Sequence, residues 1–293
     1  TLHFSKRQVA RPAWSPDGTR VAFITSNWSD RGMNHGSVYV VTREGQARDV
    51  TAGHIASVHS FAWTADNERI VTLAHERGGA GVAEIDVTTG ERVSTWHGRA
   101  ALLEGTTALP MDADGNPVAV LEDATTPPDV VYGRRTPKGL EWTRLTEINP
   151  HAAEFAIGQT RELFWSGADG WEMQGLLILP PGADEESRYP LVTVVHGGPT
   201  GVSANKFYPA SRNIQLLATE DIAVFLPNFR GSTGWGLDFA ESNIGDMGGK
   251  DWEDIRRGID HCIVEGYADP EKLGISGHSY GGFMAAWAVT QTD

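Results

Sequence analysis

A short glycine-rich motif near the end of the chain most constrains what it can fold into. Residues 277–282 read Gly-His-Ser-Tyr-Gly-Gly; a strand-like run at 272–276 precedes them and a helix-like run follows. This pattern is typical of a nucleophile elbow, where a sharp strand-to-helix turn lifts the serine hydroxyl above the sheet. Gly277 and Gly281 lie two residues to either side of Ser279, where a Cβ would clash. We therefore predict that Ser279 is a nucleophile held at positive φ.

A second glycine pair follows an apolar strand upstream. Residues 191–195 are apolar except for one threonine, which is typical of a buried parallel strand, and they run into the His-Gly-Gly-Pro of residues 196–199. In α/β-hydrolases, which use this elbow, a loop N–H joins the N–H after the nucleophile to form the oxyanion hole. We predict that Gly198 and Tyr280 supply these two N–H groups. The alternatives are a plain turn at 196–199 and an incidental serine in a glycine-rich turn.

Strands and helices alternate through the second half, which predicts a parallel sheet. The predicted strands are 191–195, 222–226 and 272–276, and the predicted helices are 210–219, 250–266 and 283–289. In this fold the acid and the histidine of the catalytic triad follow the serine in sequence. Only fourteen residues follow Ser279. We therefore expect both residues to lie beyond Asp293, and we expect this chain alone to be catalytically silent.

The first half carries an internal repeat. Its copies are residues 14–24, 63–73 and, less closely matched, 111–121. Asp17, Asp66 and Asp114 mark the turns of the three copies and are spaced by 49 and 48 residues. A period of this length with strand–turn–strand content is typical of β-propeller blades, each of about four strands. A β-sandwich with similar hairpins is the alternative.

Three motifs in order resemble the prolyl oligopeptidase family of serine peptidases. They are residues 196–199, the Asn-Phe-Arg-Gly-Ser-Thr-Gly-Trp-Gly of residues 228–236, and residues 269–282. The elbow is most similar to that of the acylaminoacyl-peptidase and dipeptidyl-peptidase branches. The resemblance implies a partial β-propeller of about three blades at residues 1–155. It also implies a partial α/β-hydrolase domain at residues 156–293, truncated after the nucleophile elbow.

The resemblance implies hydrolysis of short peptides through an acyl-enzyme on Ser279, with the propeller limiting entry to the site. His196, Gly197, Arg230 and Trp235 are expected to bind substrate or to support the loops around it. One alternative is an esterase or lipase on the same elbow. The other is a non-catalytic propeller interaction protein joined to a hydrolase remnant.

The roles of one histidine, the cysteine and two aspartates are predicted from their places in the sequence. His278 adjoins the nucleophile, but the elbow points neighbouring side chains elsewhere, so we do not assign it as the base. Cys262 lies on the apolar side of the helix at 250–266 and is predicted to be a core residue. Asp251 is predicted to be the N-cap of that helix, with Asp254 in its first turn.

Composition excludes several functions. The formal net charge is −14, of which residues 1–155 carry −4 and residues 156–293 carry −10, so nucleic acid is not an expected partner. No apolar run approaches the roughly 18 residues of a membrane span. The ten histidines lack metal-ligand spacing, and neither a metal nor a cofactor is predicted. A single cysteine suits a reducing, cytoplasmic compartment, and the oligomeric state of a full-length protein stays open.

Overall fold

The computed structural model describes residues 6–29, 34–103, 109–184, 186–208 and 213–292. It divides into two units. The first unit comprises Thr1–Asp123, Pro127–Pro150 and Thr233–Asp238, and the second comprises Ala124–Thr126, His151–Ser232 and Phe239–Asp293. No helix among the described residues is long and apolar enough to cross a membrane.

The first unit consists of three antiparallel sheets, each of four strands that are consecutive in sequence. The first sheet contains β1 (Gln8–Trp14), β2 (Arg20–Ser26), β3 (Ser37–Thr42) and β4 (Ala47–Asp49). The second contains β5 (Ser57–Trp63), β6 (Arg69–Glu76), β7 (Gly79–Asp86) and β8 (Arg92–Gly98). The third contains β9 (Ala101–Leu102), β10 (Val118–Glu122), β11 (Asp129–Thr136) and β12 (Gly139–Arg144). The predicted four strands per repeat are therefore confirmed.

The predicted repeat turns have one common geometry. The residue after each aspartate has positive φ, with values of 67° at Gly18, 66° at Asn67 and 78° at Gly115. Glycine and asparagine tolerate this region, which explains their recurrence at the position. Asp17 and Asp66 also accept a hydrogen bond from the hydroxyl two residues earlier, at 2.7 Å and 2.6 Å. The turns at Asp17 and Asp66 are therefore fixed by backbone conformation and by a side-chain hydrogen bond.

The third copy departs from the prediction in its first arm. Met111 forms only an isolated bridge with Pro117, and the edge of the third sheet is formed by β9 instead. Pro110 and Pro117 lack the N–H groups that a regular hairpin would need on both sides of the turn. The turn itself is held by Asp112, which accepts a hydrogen bond of 2.7 Å from the hydroxyl of Tyr132.

Apolar side chains fill the space between neighbouring sheets of the first unit. One core cluster combines Ile24 and Val38 of the first sheet with Phe61 and Ile70 of the second. A second cluster joins the second and third sheets, where the indoles of Trp96 and Trp142 lie edge to face at 5.8 Å. Burial between sheets is the main stabilising contribution in this arrangement.

The second unit contains one mixed five-stranded sheet and most of the helical residues. The strands are β13 (Gln159–Ser166), β14 (Glu172–Leu179), β15 (Tyr189–Val195), β16 (Ala223–Asn228) and β17 (Ala268–Gly277). Their order in the sheet is β13-β14-β16-β15-β17, and β15 pairs in parallel with both β16 and β17. The helices of the described residues are α1 (Ile214–Thr219), α2 (Leu237–Glu241), α3 (Lys250–Val264) and α4 (Tyr280–Ala288).

The predicted elements of this half agree with these strands and helices. The three strands expected at 191–195, 222–226 and 272–276 correspond to β15, β16 and β17. The helix expected at 250–266 is α3. The helix expected at 210–219 corresponds to α1, although residues 210–212 lie outside the described residues.

Strand β17 is the last strand of the sheet and pairs only with β15 among the described residues. Most of its residues are exposed, and the side chain of Leu273 is 46% exposed. An apolar edge strand with free N–H and C=O groups is a template for pairing with another chain. Among the described residues, β17 therefore leaves one edge of this sheet unpaired.

We predict that Leu273→Lys reduces self-association of the chain, because a charge on an edge strand opposes strand pairing. The measurement is the monomer fraction by light scattering after size-exclusion chromatography. The matched control is Leu216→Lys, which adds the same charge at a leucine that is 57% exposed on α1. An equal gain of monomer in both variants would show that net charge, and not the edge, governs the association.

Candidate functional site

Ser279 lies between the end of β17 and the start of α4. Its backbone has φ 56° and ψ −118°. A non-glycine residue holds such a conformation only where the surrounding structure fixes it. The side chain makes no capping hydrogen bond to α4, and the residue is exposed. The predicted positive φ at a strand-to-helix turn is confirmed, and the catalytic role stays a prediction.

Close packing at the two flanking glycines explains this turn. A methyl group on Gly281 would lie 2.0 Å from the carbonyl oxygen of Val195, the last residue of β15. A methyl group on Gly277 would lie 2.4 Å from the carbonyl group of Gly281. Real Cβ atoms essentially never approach another atom below 3.0 Å. Only glycine at both positions therefore lets α4 begin directly against β15, as predicted.

The His-Gly-Gly-Pro loop lies against the serine. A methyl group on Gly197 would lie 3.3 Å from Cβ and 4.0 Å from Oγ of Ser279. Gly198 follows in the same loop with φ 127°, a conformation that favours glycine. Tyr280 opens α4, where free N–H groups and the helix dipole favour negative charge. The pairing of the N–H groups of Gly198 and Tyr280 as an oxyanion hole stays a prediction.

His196 supports the loop that carries these glycines. Its imidazole is buried and stacks on the ring of Phe229, with centroids 4.6 Å apart. Nδ1 lies 2.8 Å from the carbonyl oxygen of Gly197 and Nε2 lies 2.9 Å from Oγ of Ser232. A carbonyl oxygen only accepts, so Nδ1 donates and Nε2 accepts from the Ser232 hydroxyl. Both ring nitrogens are therefore engaged within the second unit.

Arg230 is buried and holds a loop of its own unit. Its Nε and Nη2 donate to both carboxylate oxygens of Asp254, at 2.7 Å and 3.0 Å. Nη2 also donates to the carbonyl oxygen of Ala168 at 2.9 Å, and Nη1 lies 3.4 Å from Oδ2 of Asp169. The guanidinium lies 5.2 Å from the ring centre of Trp171. This geometry favours the loop-supporting alternative, and a part in substrate binding stays a prediction.

Trp235 belongs to the segment Thr233–Asp238, which is counted with the first unit. In that segment the N–H of Gly234 donates to Oγ of Ser57 at 2.8 Å, and its carbonyl oxygen accepts from the N–H of Arg77 at 2.9 Å. The side chain of Trp235 is half-buried. Its predicted place in a substrate pocket stays a prediction.

No imidazole forms a hydrogen bond with Ser279 in the part of the chain that the structure describes. His278, its neighbour in sequence, is exposed. Cys262 is fully buried, and burial raises the pKa of its thiol to about 12, so it is not a thiolate nucleophile at neutral pH. Within the described ranges, no group of three or more His, Cys, Asp or Glu side chains could hold a metal ion.

Sequence reasoning missed the part played by Asp251. The predicted N-cap is wrong, because Gly249 is the N-cap of α3 and Asp251 lies in its first turn. Its carboxylate accepts a hydrogen bond from the phenol of Tyr280, the residue after the serine. Helical spacing could have indicated its burial, because Asp251 lies four residues before the buried Ile255 and therefore on the same face of α3. A carboxylate on the buried face of a helix needs hydrogen-bond donors, because burying it without them is costly.

Comparison with known proteins shows which peptidases the chain is similar to. Residues 208–293 match the model of the prolyl oligopeptidase family. It is similar to the uncharacterized peptidase YuxL of Bacillus subtilis, with 36% identity over 54% of this chain and 24% of that protein. It is also similar to dipeptidyl-peptidase 5 of Porphyromonas gingivalis, with 25% identity over 96% of this chain and 40% of that protein.

The same likeness extends to a solved structure. Acylaminoacyl peptidase of Pyrococcus horikoshii superposes with a TM-score of 0.74 at 26% identity, over 94% of this chain and 42% of that one. This chain therefore spans less than half the length of each of these three proteins.

We predict that Gly281→Ala destabilises the protein by about 3 kcal/mol, because its methyl group would overlap the Val195 carbonyl oxygen. Gly282→Ala is the matched control in the same helix, since the nearest atom to its methyl group lies 3.7 Å away. Alanine there should leave stability unchanged or raise it by up to about 1 kcal/mol. Urea unfolding of the two variants and the wild type measures the difference, and equal stability of the two variants would contradict the packing argument.

Proposed function

We propose that this chain carries the nucleophile of a serine peptidase that acts on short peptides, in the manner of acylaminoacyl- or dipeptidyl-peptidases. The observation that carries the proposal is the geometry of Ser279. It is exposed, has positive φ, lies between β17 and α4, and is in contact with the loop of Gly197. The match of residues 208–293 to the prolyl oligopeptidase family model and the names of the similar peptidases support the same function.

The proposed reaction is acyl transfer. The hydroxyl of Ser279 attacks the peptide carbonyl carbon, and the tetrahedral intermediate places negative charge on the former carbonyl oxygen. The N–H groups of Tyr280 and Gly198 would donate to that oxygen, and donors fixed in advance lower the barrier without reorganising. Collapse of the intermediate releases the amine and leaves an ester on Ser279, which water then hydrolyses.

The reaction needs a base for the serine proton. In serine peptidases a histidine takes that proton and returns it to the leaving amine, while a buried carboxylate orients the histidine. Both ring nitrogens of His196 are engaged elsewhere, and His278 makes no hydrogen bond to the serine. We place the histidine and its carboxylate outside the described residues.

The proposed architecture has two parts. Residues 1–155 would be the C-terminal blades of a β-propeller, supported by three successive four-stranded antiparallel sheets. Residues 156–293 would be the N-terminal half of an α/β-hydrolase domain, supported by the three strands β16, β15 and β17 that pair in parallel. Likeness to an acylaminoacyl peptidase over 94% of the chain supports both parts together.

The test is covalent labelling of the full-length protein with a fluorophosphonate probe, which reacts only with an activated serine. We expect stoichiometric labelling that is lost in Ser279→Ala and kept in Ser276→Ala. Ser276 is an exposed serine on β17 and receives the same substitution, so it controls for damage to the strand. Full labelling of Ser279→Ala would show that another residue is the nucleophile.

Turnover of an acylated peptide, a dipeptide amide and a simple aryl ester by the full-length enzyme, not treated with the probe, defines the substrate class. Hydrolysis of either peptide substrate supports the peptidase assignment. Hydrolysis of the ester alone would contradict it.

A further inference from the structure

The side chain of Tyr280 reaches from the nucleophile turn to the start of another helix. Its backbone follows Ser279, while its ring is buried between Phe229 and Phe283, with centroids at 6.1 Å and 5.4 Å. Its hydroxyl donates to Oδ2 of Asp251 in the first turn of α3. The residue that follows the serine is therefore attached to α3 through its own side chain.

Asp251 is itself held from several sides. Its Oδ1 accepts from the N–H of Gly248 at 2.9 Å and from the N–H of Trp252 at 2.8 Å. The amide of Asn243 lies 3.4 Å from Oδ2. The residue is fully buried, and these donors together with the Tyr280 hydroxyl satisfy a carboxylate that water does not reach. The carboxylate is therefore a fixed acceptor.

The protonation states of the two side chains determine that Tyr280 donates and Asp251 accepts in their hydrogen bond. Burial and the neighbouring carboxylate of Asp251 both raise the pKa of Tyr280, so the phenol keeps its proton. Burial also raises the pKa of Asp251, and the four donors around it oppose that effect. A phenol facing a carboxylate forms a charge-assisted hydrogen bond, which is stronger than a bond between neutral groups.

A second bond joins the same two parts of the unit. Nε1 of Trp287 donates to the carbonyl oxygen of Gly248 at 2.7 Å. Tyr280 and Trp287 are seven residues apart on α4, which places them two turns apart on one face of the helix. Helix α4 is thus tied at both of these turns to the residues that begin α3.

We propose that Asp251 is a positioning residue for catalysis, which acts through Tyr280 to fix the backbone N–H that follows the nucleophile. The inference rests on the proposed function, because it concerns the N–H assigned there to the oxyanion. The N–H of Tyr280 can move relative to Oγ of Ser279 only if the first turn of α4 shifts or rotates. The ring and hydroxyl of Tyr280 oppose that movement, because they are packed and bonded at the far end.

The expected size of the effect follows from this indirect action. Removing an oxyanion donor costs about 100-fold to 1,000-fold in kcat, and a shift of about 1 Å can cost about 100-fold. Loosening the donor while keeping it should cost less. We therefore expect Tyr280→Phe to lower kcat about 10-fold with KM changed by less than about twofold, which is about 1.4 kcal/mol of transition-state stabilisation.

The experiment is a double-mutant cycle in the full-length protein with Tyr280→Phe, Asp251→Asn and the double variant. Each kcat is expressed per active site titrated with the fluorophosphonate probe, so loss of folded protein does not enter the result. The matched control is Tyr132→Phe, which removes the same kind of phenol-to-carboxylate bond, to Asp112, in the first unit. Its kcat should equal that of the wild type.

The pair acts as a unit if the double variant is no slower than Asp251→Asn alone, and this result supports the inference. Independent effects that multiply to about 100-fold in the double variant would overturn it, as would wild-type kcat in Tyr280→Phe. If Asp251→Asn does not fold, kcat of Tyr280→Phe alone tests the inference: a loss of about 10-fold supports it, and a wild-type value overturns it. Failure of the proposed function gives a different result, because the wild type would then not be labelled at Ser279.

Discussion

The close approach of α4 to the end of β15 is the constraint on which the second unit depends. Gly281 lies so near the carbonyl oxygen of Val195 that no other residue fits, and Gly277 lies almost as near the carbonyl group of Gly281. These two contacts leave the chain no room for a gradual turn between β17 and α4. Ser279, between them, consequently adopts a positive φ and stays exposed. The loop after β15 begins at the same point, which is why Gly197 lies against the serine.

Helix α3 supports this arrangement through two buried acids in its first two turns. Asp251 receives the phenol of Tyr280, and Asp254 receives the guanidinium of Arg230. Burying a carboxylate is costly unless donors surround it, and each of these two accepts several hydrogen bonds. Asp251 thereby joins α3 to the nucleophile helix, and Asp254 joins it to the loop at Ala168 through Arg230. A single element thus connects the residues around the serine to the rest of the sheet.

Features with local causes could be predicted from the sequence. The turn at Ser279 follows from its flanking glycines, and the repeat turns follow from residues that tolerate positive φ at Gly18 and Asn67. The four-stranded repeats follow from the spacing of these turns. Contacts between distant residues could not be predicted in this way. Asp251 and Tyr280 are 29 residues apart, and nothing in the local pattern pairs them.

The same distinction explains the errors. An acid near a helix start is often an N-cap, which is why the sequence favours Asp251 for that position, but Gly249 is the N-cap and tertiary contacts determine the place of Asp251. The third repeat has a turn like the others, but prolines on both sides reduce its first arm to an isolated bridge. The sequence around Arg230 does not distinguish a residue that supports a loop from one that binds substrate, because an arginine suits both roles. Its hydrogen bonds to three residues, which lie 24 to 62 positions away in sequence, favour the supporting role.

The proposed oxyanion hole requires that the N–H groups of Tyr280 and Gly198 converge on the oxygen of a substrate held by Ser279. A crystal structure of the full-length protein with a peptidyl phosphonate bound to Ser279 tests it most directly, because the phosphoryl oxygen stands in for the oxyanion. We predict that this oxygen lies about 2.7–3.1 Å from both backbone nitrogens. A phosphoryl oxygen directed to solvent, or more than about 4 Å from either nitrogen, would contradict it.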